Sequence, residues 1–207
     1  MPVVIPAIGI LALQGDFAAH ADTVVAAGGR PVEVRTPEEL AQCDALILPG
    51  GESTTIGKLL VRYALMDPVK AAIAGGLPVL GTCAGMILLS RRIVAGEATG
   101  GQPLIGALDI GVERNAFGRQ IDSFEADVDL TAFDGNGPVR ALFIRAPIAR
   151  EAAPDVEVLA WHEGRAVLVR QGEVVAAAFH PELTGEIRLH QDLCRRAMRF
   201  REVSAGV

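Results

Sequence analysis

Pro78-Val-Leu-Gly-Thr-Cys-Ala-Gly85 places a cysteine between two glycines, Gly81 and Gly85, at the end of an apolar run. A strand that feeds straight into a helix holds the residue at the turn in strained backbone geometry, and glycines two before and two after it give room for the close approach. The side chain of Cys83 then projects toward a substrate. The plain alternative is a small buried hydrophobe, since free cysteines are among the most buried residue types. The stretch alone leaves both readings open.

Upstream, Ile8 to Leu13 reads as a short apolar strand, Asp16 to Ala27 as a helix ended by Gly28-Gly29, and Pro31 to Val34 as an alternating strand. Pro37 to Ala41 can make a short helix, Ala45 to Leu48 a buried strand, Thr54 to Tyr63 and Met66 to Ala74 two helices, and Pro78 to Leu80 the next strand. Apolar strands alternating with helices indicate a parallel sheet covered on each face, with the active edge beyond the C-terminal strand ends.

Downstream the pattern turns strand-rich: Ala107 to Val112, Ile121 to Leu130, Val139 to Ile144, Val156 to Ala160, Ala166 to Arg170 and Val174 to Phe179. Asp134-Gly-Asn-Gly137 and Gln171-Gly172 read as turns. Glu186 to Phe200 closes the chain as an amphipathic helix carrying Leu189, Leu193 and Phe200 on one side. With no linker or repeat, the expectation is one α/β domain over residues 1–207, built on a mixed, mostly parallel central sheet flanked by helices on both faces.

A hydrophobic fraction of 50% with 21% charge argues against disorder. The net charge of -6 and pI near 5.2 argue against a nucleic-acid-binding surface. The basic cluster of Arg195, Arg196, Arg199 and Arg201 falls at the end of the last helix, where cations complement the helix dipole on a solvated face. Cys43, Cys83 and Cys194 fit no disulfide framework and no zinc spacing. The uncharged run from Ala71 to Ser90 is broken by Gly75, Gly76, Pro78, Gly81 and Gly85, which excludes a membrane-spanning helix. The N-terminus lacks the positive region of a signal peptide, so a cytoplasmic protein is expected.

His180-Pro-Glu182 follows a strand just as Cys83 does, which allows a base and the carboxylate that orients it to sit beside the nucleophile. His20 and His190 read as structural or surface residues, and His162 is the spare candidate base. Pro49-Gly-Gly-Glu-Ser-Thr-Thr55 leaves a buried strand for a helix, so its amides can converge on an anion. It is not a Walker A loop: five residues separate Gly51 from Gly57-Lys58, and Leu59 stands where Ser or Thr is required. An oxyanion hole formed by the amides of Gly51 and Ala84 fits better.

Gly81-Thr-Cys-Ala-Gly85 together with His180-Pro-Glu182 resembles the class I, triad-type glutamine amidotransferases, whose fold is flavodoxin-like. Four further segments narrow the resemblance to the glutaminase subunits of two-component pyridoxal 5'-phosphate synthases. They are Leu13-Gln-Gly15 with His20, Gly50-Gly-Glu-Ser-Thr-Thr55, Arg114-Asn-Ala-Phe-Gly-Arg-Gln120 leading to Ser123-Phe-Glu125, and Phe143-Ile-Arg-Ala-Pro147. The resemblance implies Cys83 as nucleophile, His180 as general acid/base, Glu182 as its orienting carboxylate, and Gly51, Glu52, Ser53, Arg114, Ile144 and Arg145 as contacts for L-glutamine. It also implies that no metal or organic cofactor is needed, and that ammonia passes to a separate synthase subunit. Residues 96–103, residues 148–155 and the last helix carry no recognised motif.

Overall fold

The computed structural model describes residues 4–96, 101–117, 123–134 and 137–204. Gly118 to Gln120 of the arginine motif, the start of the strand expected at Ile121, the middle of the turn at 134–137 and residues 97–100 lie outside the described residues.

Five strands form the parallel half of a ten-stranded sheet: β1 (Ala7–Leu11), β2 (Arg30–Val34), β3 (Ala45–Leu48), β4 (Val79–Thr82) and β12 (Val174–Ala177), in the order β2-β1-β3-β4-β12. All residues of β1, β3, β4 and β12 are buried, which is why they read as continuous apolar runs. Register aligns their ends: Leu48 pairs with Gly81, and Thr82 with Ala177. Three chain segments therefore leave the sheet at one edge, carrying Gly50 and Gly51, Cys83, and His180.

Helices α1 (Phe17–Ala26), α2 (Pro37–Leu40), α3 (Ser53–Arg62) and α4 (Met66–Ala74) connect the first four of these strands, as the spacing predicted, and α5 (Ala84–Leu89) follows β4. In α3 the buried residues Ser53, Ile56, Gly57 and Leu60 recur at helical spacing, and the Glu52 carboxylate caps it by accepting from the Thr54 and Thr55 amides. Fully burying each leucine or isoleucine of this core, such as Ile8, Leu46 or Leu80, contributes about 1.5–3 kcal/mol.

Beyond β12 the sheet turns mixed. β11 (Arg165–Gln171) pairs antiparallel with β12, with β10 (Glu157–His162) and with β9 (Ile148–Ala152). Next comes β6 (Leu108–Glu113), antiparallel to β9, and then β5 (Ser90–Ala95), parallel to β6. A separate antiparallel pair, β7 (Ser123–Asp129) and β8 (Pro138–Ile144), runs either side of a short helix, α6 (Thr131–Asp134).

Strands β5 and β9 had no strand signal in the sequence. β5 is an edge strand whose Arg91 and Arg92 are exposed, with Arg92 bridging Asp109 on β6 and Glu151 on β9, so charge replaces the apolar alternation. The last helix, α7 (Arg188–Ser204), buries Leu189, Leu193 and Ala197. One arginine departs from the expected solvated face: Arg196 is buried, its Nε donating to Asp192 Oδ2 (2.7 Å) and its Nη1 to the Glu173 carbonyl (2.6 Å). Among the described residues no helix is long and apolar enough to cross a membrane.

Candidate active site

Cys83 is the link between β4 and α5, and it sits at φ 47°, ψ −100°, a conformation L residues rarely hold. Its amide donates to the Ala177 carbonyl of β12 (2.8 Å), which ties the elbow to the sheet. Gly85 is required next to it, because a Cβ there would stand 2.1 Å from the Leu48 carbonyl oxygen. The Cys83 Sγ lies 3.7 Å from the carbonyl oxygen of Ile144, at the end of β8.

His180 follows β12 and begins the 3-10 turn Pro181–Leu183, its amide donating to the Leu142 carbonyl of β8 (2.9 Å). Pro181 and the tight turn bring Glu182 back, so that His180 Nδ1 and Glu182 Oε1 lie 2.7 Å apart, both side chains buried. With Nδ1 committed to the carboxylate, Nε2 is the nitrogen left for Cys83. Burial opposes the imidazolium, but hydrogen bonds and charge from Cys83 and Glu182 outweigh it and push the His180 pKa up to about 10. Asp16 Oδ2 lies 3.9 Å from the same Nδ1. Asp16, His180 and Glu182 present ligand atoms within 4.8 Å of one another, yet a cation there would have to displace the 2.7 Å bond that defines the pair.

Cys83 and His180 open into a cavity of ≈ 350 Å³ that is also lined by Gly51, Glu52, Ser53, Ala84, Arg114, Ile144 and Arg145. The nucleophile, base, oxyanion and glutamine-contact residues expected from the sequence are thus brought to one place, with Glu182 behind His180. Three of the five described non-glycine residues with positive φ, Cys83, Asn115 and Arg145, line this one cavity. Backbone strain of this kind gathers at functional sites. A larger cavity, ≈ 460 Å³, is lined by Gly76, Glu173 and Val174 at the N-terminal strand ends, away from the elbow.

Opposite charges meet inside the first cavity. Arg114 Nη2 lies 3.4 Å from Glu52 Oε1, and Arg114 Nη1 donates to Gln102 Oε1 (3.2 Å). Burial resists ionisation of Glu52, but hydrogen bonds from Thr55 and Thr54 hold its pKa below the ordinary carboxylate value. Gln14 accepts from the Glu52 amide (2.8 Å) and so fixes the loop around Gly51.

Sequence reasoning missed Gln102, whose Oε1 also accepts from the hydroxyls of Ser53 (3.2 Å) and Thr54 (3.0 Å), because it lies in a segment with no motif. It also passed over Gln14, Asp16 and Asn115 as lining residues, although Gln14 and Asn115 stood inside quoted motifs. His162, the spare base, is packed against Phe117, Phe124 and Phe143 and is not among the residues lining the cavity.

A model of the SNO glutamine amidotransferase family matches residues 10–199. A Frankia casuarinae protein described as pyridoxal 5'-phosphate synthase subunit PdxT is 58% identical over 186 residues, covering 90% of this chain and 92% of that protein. A protein of the same description from Pelotomaculum thermopropionicum is 54% identical over 192 residues, covering 93% and 95%. A crystal structure described as a glutamine amidotransferase superposes with a TM-score of 0.85 at 47% identity, covering 92% of this chain and 98% of the other.

Proposed function

The chain belongs to the SNO glutamine amidotransferase family, and from that premise we propose that it hydrolyses L-glutamine to L-glutamate and ammonia with Cys83, His180 and Glu182. The ammonia is supplied to a separate synthase subunit that makes pyridoxal 5'-phosphate. The observation that carries the chemistry is the elbow: Cys83 at φ 47° facing an imidazole that is held at 2.7 Å by a buried carboxylate.

The Cys83 thiolate attacks the carboxamide carbon of glutamine while the imidazolium of His180, oriented by Glu182 through Nδ1, stands ready as acid. The tetrahedral oxyanion is met by the amides of Gly51 and Ala84. His180 delivers its proton to the departing nitrogen, the C–N bond breaks, and ammonia leaves a glutamyl thioester on Cys83. Water then attacks the thioester as His180 takes back a proton, and glutamate is released. Glu52 and Arg114 are the counter-charges for the ammonium and carboxylate of free glutamine, with Ser53, Ile144 and Arg145 completing the pocket.

Residues 1–207 act as one glutaminase domain, a reading supported by a core cluster that runs from Ile8 to Ala197. A cytoplasmic setting suits its three free cysteines. The test is glutamate release from glutamine by the purified chain, with and without the synthase subunit. Release that depends on Cys83 and rises with the synthase is expected. Turnover by Cys83→Ala removes the mechanism, and equal rates with and without the synthase remove the coupling.

A further inference from the structure

Behind the His180–Glu182 pair lies a buried row of polar groups that the reaction above leaves unused. His20 on α1 and His190 on α7 are both fully buried, with His20 Nδ1 2.9 Å from His190 Nε2. The other His20 nitrogen, Nε2, lies 3.0 Å from Thr82 Oγ1, one residue before the elbow, and 3.5 Å from Glu182 Oε2. Among the described residues, Glu182 Oε2 and His190 Nδ1 are buried atoms with no hydrogen-bond partner.

Proton placement in this row has few solutions. Burial, then His190 and His180, hold the His20 pKa well below 6.5, and burial takes His190 down to about 4, so both rings are neutral near pH 7. Each ring then carries one N–H, and one of the two must lie between them. If His20 Nδ1 donates to His190 Nε2, the remaining His190 proton sits on Nδ1 with no acceptor, and the lone pair of His20 Nε2 faces a carboxylate. If His190 Nε2 donates to His20 Nδ1, the His20 proton sits on Nε2 and points at Thr82 and Glu182. His190 then presents only a bare nitrogen. The second arrangement leaves His20 no N–H without an acceptor, Thr82 standing at 3.0 Å, and turns the same N–H toward Glu182 Oε2 at 3.5 Å, a buried carboxylate oxygen that otherwise faces no donor.

We propose that His20, its tautomer set by His190, is a positioning residue of the triad that holds Glu182 Oε2 through Nε2–H and so keeps Oε1 on His180. This rests on the reading of Cys83, His180 and Glu182 as the reacting triad. The titratable groups facing the His180–Glu182 pair are Cys83 from the elbow, Asp16 ahead of α1 and His20 within it. Thr82 offers the same His20 nitrogen a second partner, which keeps the ring from rotating.

The experiment uses the full chain with its synthase subunit and compares His20→Met, which has no donor, with His20→Gln, whose amide N–H can stand where Nε2–H stood. His20→Met is expected to lower kcat roughly ten- to hundredfold, the worth of a hydrogen bond to a charged group, with KM unchanged. His20→Gln recovers kcat, and His20→Met causes no further loss when added to Glu182→Gln. A full loss in the Glu182→Gln background, an unaltered kcat in His20→Met, or no recovery in His20→Gln overturns the proposal. Cys83 alkylation by iodoacetamide against pH separates the two levels: if His180→Asn leaves the wild-type profile unchanged, the triad reading itself has failed, whatever His20 does.

Discussion

Arg114 and Glu52 occupy one another in the cavity, Nη2 lying 3.4 Å from Oε1, with the Glu52 side chain 51% exposed. An ion pair this open is worth about 0–1 kcal/mol, so the two ends of an amino acid can replace it at little cost. Arg114→Gln is therefore expected to raise KM for glutamine roughly tenfold while kcat holds. Glu52→Gln should do the same. Glu52→Ala should in addition lower stability by about 1 kcal/mol, because Glu52 also caps α3 through the Thr54 and Thr55 amides. Steady-state kinetics with urea unfolding of each variant checks this, and a kcat loss matching the KM rise would refute the anchoring role.

The strain at Cys83 predicts an inverted order of stabilities. Glycine ordinarily costs stability relative to alanine, since it loses more freedom on folding. At φ 47° alanine keeps the strain and glycine relieves it. Cys83→Gly should thus be more stable than Cys83→Ala by about 1 kcal/mol, with both inactive. Thermal or urea melts of the pair decide it, and the usual order would mean that the elbow is not strained in solution.

The parallel half of the sheet was legible because β1, β3, β4 and β12 are apolar on both faces and separated by helical periodicity. The same logic failed at β5 and β9, where Arg91 and Arg92 on the edge strand and Arg150 and Glu151 on its interior neighbour beyond β6 leave no apolar alternation to read. Cys83, His180 and Glu182 were legible because glycine spacing and a strand-end histidine are local signals. Gln102 and the His20–His190 contact were not, since the latter joins residues 170 positions apart. No one-dimensional pattern encodes a hydrogen bond between the first helix and the last.

His180 and His190 pull the pH profile of stability from opposite sides. With the folded pKa of His180 near 10 against 6.5 when unfolded, the folded chain keeps a proton that the unfolded chain has lost, and stability falls as pH rises through that window. With His190 at about 4, the unfolded chain takes up its proton first, and stability falls as pH drops from 6.5 toward 4. A maximum near pH 6.5 is expected from urea unfolding across this range. His180→Asn should flatten the alkaline limb below about pH 9, above which the buried thiols of Cys43 and Cys194, pushed up to about 11, keep a fall of their own, and should spare the acid limb; a limb unchanged below pH 9 in that variant would refute the assignment.

Gly50 offers a way to misplace the base without removing any proposed catalytic group. A Cβ at Gly50 would stand 2.3 Å from His180 Cε1 and 3.0 Å from its Nδ1, and the ring is buried, so it cannot swing into solvent to make room. The methyl must push the imidazole away from Cys83 or from Glu182. A displacement of this size in a reacting group costs on the order of a hundredfold in rate. Gly50→Ala is therefore expected to lose that much kcat with KM for glutamine nearly kept, since Glu52 and Arg114 are untouched. Its Cys83 should also alkylate with the pH profile of His180→Asn instead of the wild type. A Gly50→Ala variant with wild-type kcat would show that His180 does not work from this position.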